Sequence, residues 1–160
     1  MAALPQLLEP DIREINHALD DLLQKSDASG AMVLDKGGFL ITQYGRLDHY
    51  DVTTLAALSA GSYAATETIA ILVQEPNFSS VYQQGDNQSL LVLNVDAHCL
   101  LAVIFPAHLS VGAVKYYAGD TIKLIAQQMT TARDRNPSVS VDLAMLNVAD
   151  TQQFFRKKAV

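Results

Sequence analysis

Cysteine occurs once in this 160-residue chain, at Cys99, so no disulfide framework is possible and a reducing, cytoplasmic setting is expected. Basic residues are few. Eleven scattered Lys and Arg against seventeen Asp and Glu give a net charge of −6, which leaves no electrostatic footprint for nucleic acid. The opening MAALPQLLEPDIREI lacks a basic stretch followed by a sustained apolar one, and no run of about 18 apolar residues stands out. Neither a signal peptide nor membrane insertion is therefore expected. Repeats and low-complexity tracts are also missing. No GxxxxGKS/T, GxGxxG, HExxH or CxxC occurs, which removes the common signatures of phosphate loops, dinucleotide folds, zinc proteases and redox dithiols.

The residues that could do chemistry do not assemble into a site. Asp96-Ala97-His98-Cys99 brings an acid, a base and a thiol close together, but neighbours on a strand point to opposite faces. A buried structural thiol is the expected reading. His17, His49 and His108 have no ligand spacing, and none of Arg13, Arg46, Arg133, Arg135 and Arg156 sits in a motif that marks an arginine finger. No catalytic residue, metal or cofactor is expected.

What the chain does have is apolar content, 49 % of its residues. That is enough for one domain with a substantial core. The organising stretch is Asp51 to Val73, DVTTLAALSAGSYAATETIAILV, with no Pro and one Gly. Asp51 suits a helix cap. Leu55, Leu58, Ser62, Ala65, Ile69 and Leu72 recur at three and four, and predict the core-facing stripe. Beside them run Ala57, Gly61, Ala64 and Thr68, which are small and permit close approach of another backbone. That backbone belongs either to this domain or to a partner.

Around this helix the chain divides readily. Residues 10–25 predict a helix with Ile12, Ile15, Leu19, Leu22 and Leu23 on one face. Residues 31–43 predict a hairpin turning at Asp35-Lys36-Gly37-Gly38, where Gly-Gly supplies positive φ. Three strands follow, at 79–84, 88–95 and 98–105. The last is apolar on both sides and expected to be central, whereas the polar alternation of the first suits an edge. Ser110 caps a helix over 110–133 with Val111, Val114, Ala118, Ile122, Ile125 and Met129 inward, and Gly119 costs it about 1 kcal/mol. Pro137 opens an irregular linker. A short helix capped by Asp150 and carrying Phe154 and Phe155 is expected at the end. The domain thus spans 1–136, with linker and tail over 137–160. The element order, α-β-β-α-β-β-β-α plus a tail helix, predicts an α/β (α+β) sandwich with a five-stranded antiparallel sheet.

Three passages carry a resemblance: LAALSAGSYAAT in the central helix, QEPNFSSVYQQGDNQSLL after it, and LLAVIF followed by LSVGAVKYYAGDTIKLI. Together they resemble the roadblock/dynein light-chain family over about residues 10–133. Within that family the match is to bacterial members that partner a Ras-like, MglA-type small GTPase. The resemblance implies a profilin-like sandwich with helices on both faces. It also implies a homodimer in which edge strands pair into one continuous sheet and the two central helices lie together. Carried over, the dimer edge is Ser79, Ser80, Val81, Tyr82, Gln83 and Gln84, and the GTPase platform is Ala57, Gly61, Ala64 and Thr68. Phe154 and Phe155 in the tail are a second contact region. The implied function is non-enzymatic: stimulation of GTP hydrolysis without an arginine finger, in polarity or gliding motility, at a cell pole. The alternative is a scaffold that binds a GTPase or another complex and leaves hydrolysis unchanged. A small-molecule sensor on a related sandwich would need converging polar groups, and no such set is evident.

Overall fold

The computed structural model describes residues 4–135. Its elements are α1 (Glu9–Ser26), β1 (Gly30–Asp35), β2 (Leu40–Gly45), α2 (Val52–Leu72), β3 (Ser80–Gln84), β4 (Gln88–Asn94), β5 (Cys99–Pro106) and α3 (Val111–Arg135). This is the expected order. All five strands join one antiparallel sheet, β2-β1-β5-β4-β3. Central β5 is buried along its whole length except Pro106, as a strand covered on both faces should be. β2 and β3 are the edges. The expected linker and tail helix, with Phe154 and Phe155, lie outside the described residues.

Local chemistry sets the element ends. The Thr54 N–H donates to Asp51 Oδ1 at 3.1 Å, and the Ala113 N–H donates to Ser110 Oγ at 3.4 Å. In the β1–β2 turn only Gly38 takes a positive φ, +97°, so one glycine of the pair suffices. Asp35 completes that turn. Its carboxylate accepts from the Phe39 N–H at 2.8 Å, and its own N–H donates to the Phe39 carbonyl at 2.9 Å.

Alternation along the strands feeds two cores. One lies under α1 and α3 and includes Ile15, Leu19, Leu22, Val33, Leu101, Val103, Phe105, Ile125 and Met129. The second lies under α2 and includes Met32, Leu34, Ala56, Ala60, Tyr63, Val92, Leu100 and Ile104. Ile12, Leu23, Val111 and Ile122, expected inside, are only partly buried. Periodicity also gives no hint that Asp11 is fully buried at the start of α1. It accepts from the Leu8 N–H and from Gln128 Nε2, both at 2.7 Å.

The main correction concerns α2. The stripe expected to face the core does not: Leu58 is 66 % exposed and Leu72 76 %, Ala65 and Ile69 are exposed, and Leu55 and Ser62 are only partly buried. Ala56, Ser59, Ala60, Tyr63 and Ala70 face the sheet instead. The reason is spatial. Large side chains from the sheet, such as Met32, Leu34 and Ile104, already fill the layer between it and α2. Mostly small helix residues then let the backbone settle close.

Candidate interaction surface

Two exposed features stand out, one on the outer face of α2 and one at the β3 edge of the sheet. The first is the outward face of α2. Ala57, Gly61, Ala64 and Thr68 are all exposed there, and an added Cβ on Gly61 would meet nothing within 4 Å. Leu58, Ala65, Ile69, Ile71 and Leu72 widen this face, and Val73 extends it just past the helix end. From Asp51 to Val73 only Asp51 and Glu67 are charged. Large apolar side chains exposed along one helix face are unusual for an ordinary solvated helix. By length and composition alone, α2 is long and apolar enough to cross a membrane. That qualifies the reading that no such stretch exists, although one face of α2 is packed on the sheet.

The second feature is the free edge of β3. It pairs only with β4, from Ser80↔Leu93 to Gln84↔Ser89, so its other side carries unpaired backbone groups. Tyr82 stacks on Phe105 at 6.2 Å between ring centroids, 8° from parallel, and Gln83 and Gln84 are exposed. Ser79 precedes the strand, and its carbonyl accepts from the Asn94 N–H at 3.0 Å.

The Roadblock/LC7 domain model matches residues 14–105, more than half of the chain. The chain belongs to the Roadblock/LC7 family. No curated protein sequence matches this Roadblock/LC7 chain. Among solved structures it is similar to Myxococcus xanthus MglB, at 28 % identity and a TM-score of 0.73, covering 79 % of this chain and 96 % of that one. It is also similar to an MglB solved in a tetrameric arrangement, at 25 % identity and a TM-score of 0.76, covering 82 % and 99 %. Profilin IA of Acanthamoeba castellanii, at 10 % identity and a TM-score of 0.51 over 71 % of this chain and 97 % of that one, shares the fold. Roadblock/LC7 domains are regulatory modules.

The structure separates the other candidates. Cys99 is fully buried, and burial, aided by the nearby carboxylates of Asp96 and Asp35, pushes its thiol up to about 12. Asp96 Oδ1 is occupied by the N–H groups of His98 at 2.7 Å and Cys99 at 2.8 Å. A protonated thiol beside an engaged carboxylate is a poor nucleophile. Sequence reasoning missed two residues that bear on this surface, one exposed and one buried beneath it. Phe39 is 75 % exposed beside α2, because Gly38 brings the turn within contact of Ala57. Tyr63, the one aromatic of α2, is buried against the sheet, and its hydroxyl reaches the segment leading to β3. A lone aromatic among alanines and serines was the available signal for Tyr63.

Proposed function

We propose that this chain is a homodimeric, non-catalytic regulator that binds a Ras-like small GTPase of the MglA type and stimulates its GTP hydrolysis, in cell polarity or gliding motility. The observation that carries the reading is the apolar outer face of α2, beside the open edge of β3. The edge offers backbone pairing to a second copy, and the apolar helix face has room both for that copy's α2 and for a folded partner. Fold likeness to proteins named MglB supports it, as does the tetrameric arrangement of one of them. The GTPase supplies its own catalytic groups in this scheme. The regulator binds the hydrolysis-competent arrangement of those groups better than the relaxed one, so it shifts their population. A cytoplasmic position at a cell pole goes with this role.

The test is single-turnover GTP hydrolysis by a purified MglA-type GTPase from the same organism, with and without the regulator. A saturable rise in rate is expected. Binding with an unchanged rate would favour the scaffold reading, and absence of binding would overturn both.

A further inference from the structure

The surface just described has two parts that must be presented together: the outer face of α2 and the edge of β3. They are joined by residues 73–79, in which the N–H groups of Val73, Gln74 and Glu75 still donate back to carbonyls of α2. The Glu75 N–H donates back to the Ala70 carbonyl at 2.9 Å, and the Ser79 carbonyl already belongs to the sheet through Asn94. Between them, among the described residues, one hydrogen bond reaches residues 76–78. The Tyr63 hydroxyl donates to the Phe78 carbonyl at 3.1 Å, two residues ahead of β3. Tyr63 is 1 % exposed, so no partner can touch it.

The ring of Tyr63 has a second neighbour. Lys36 Nζ lies 5.4 Å from its centroid and 3.4 Å from Glu67 Oε1, one helical turn further along α2. The Lys36 N–H donates to the His98 carbonyl at 2.8 Å, which ties the β1–β2 turn to the residue preceding β5. The turn, α2 and the approach to β3 thus converge on one aromatic ring.

We propose that Tyr63 is a positioning residue for self-association, fixing the start of β3 relative to α2 so that both parts of the surface meet a second copy in register. The inference rests on the homodimer reading above. Docking two patches at once requires them to be pre-set. Freeing one of them adds an ordering cost to association. Tyr63→Phe removes only the hydroxyl and keeps the ring in the core.

The experiment measures the dimer dissociation constant by sedimentation velocity for the full chain, Tyr63→Phe and Lys36→Met, at a temperature where all three are folded. It also follows amide exchange in residues 77–84 and in β5. For Tyr63→Phe the dissociation constant is expected to rise about three- to fivefold, the upper figure being reached when loss of one neutral hydrogen bond frees the segment in the protomer and association must reorder it. Exchange should quicken at 77–84 and stay unchanged in β5. Lys36→Met, which removes the cation above the ring, is expected to raise the constant about threefold. A Tyr63→Phe constant within about twofold of the parent, with unchanged exchange, overturns this proposal and leaves the homodimer standing. A monomeric parent at tens of micromolar overturns the homodimer itself, and this proposal with it. If Tyr63→Phe fails to fold, Lys36→Met decides: a raised constant supports the role, and an unchanged one overturns it.

Discussion

Arg135, the last residue of α3, grips both carboxylate oxygens of Asp11 at 2.8 Å, across 124 residues of chain. The Leu8 N–H and Gln128 Nε2 complete the carboxylate's partners. The Arg135 guanidinium, first of all, and the Leu8 N–H hold the carboxyl far below its ordinary value of 3.8, against the opposing effect of burial. The start of α1 is thereby fastened to the end of α3.

Asp11→Ala is expected to destabilise the fold by about 2–4 kcal/mol, because it leaves the Leu8 N–H and Arg135 without their shared acceptor. Differential scanning calorimetry at pH 7 should show Tm lower by about 5–10 °C. The sign with pH follows from the lowered pKa. The stabilisation is complete above the ordinary value of 3.8 and is lost progressively as the pH falls below it. The gap in Tm between parent and variant should therefore be constant from pH 8 to about pH 5 and narrow below pH 4. A gap that widens in acid would contradict the assignment.

Ala64→Arg places a long cation on the exposed side of α2. Folding should be altered by only a few tenths of a kcal/mol, as at other exposed sites. GTPase binding should be lost, because an unpaired charge and a steric wedge both oppose docking. Circular dichroism melting together with a pull-down separates the two effects. A folded variant that binds and stimulates at the parent level would remove this stripe from the partner surface.

Leu72→Asp tests the wider apolar face. Leu72 is already 76 % exposed in the lone protomer, so helix content and monomer stability should barely change. Self-association should weaken by about tenfold or more if this face is covered in the dimer, since a carboxylate would then be desolvated. Sedimentation equilibrium gives the answer. Unchanged association would confine the contact to β3.

Cys99 should be nearly inert in the folded protein. A thiol at about 12 in place of its ordinary 9.0 forms about a thousandfold less thiolate near pH 8, and burial adds steric protection. Alkylation by iodoacetamide should be slow in buffer and fast in denaturant. Stoichiometric labelling within minutes under native conditions would show that the β4–β5 end opens readily.

Fold and surface were legible in the sequence to different depths. Strands and helix ends could be read from short-range signals: Asp51 and Ser110 as caps, Gly38 in the turn, and the two-sided apolar pattern of β5. Which way α2 faces could not be read, because the helix is apolar nearly all round and periodicity then selects no face. The rule that large residues point inward failed where the sheet supplies the bulk. The exposed stripe Ala57, Gly61, Ala64 and Thr68 was visible as a pattern of small side chains. The bond between Asp11 and Arg135 was not, because nothing local links positions so far apart.

The outer face of α2 also has a thermal consequence. Leu58, Ile69, Ile71 and Leu72 face water in the lone protomer. Covering apolar surface carries almost no enthalpy near 25 °C and a large negative heat-capacity change, so its contribution fades on cooling. Any occupant of this face is then gripped more weakly on ice than at growth temperature. If the proposed homodimer covers this face, a chilled preparation is where protomers would separate, with the apolar side of α2 uncovered.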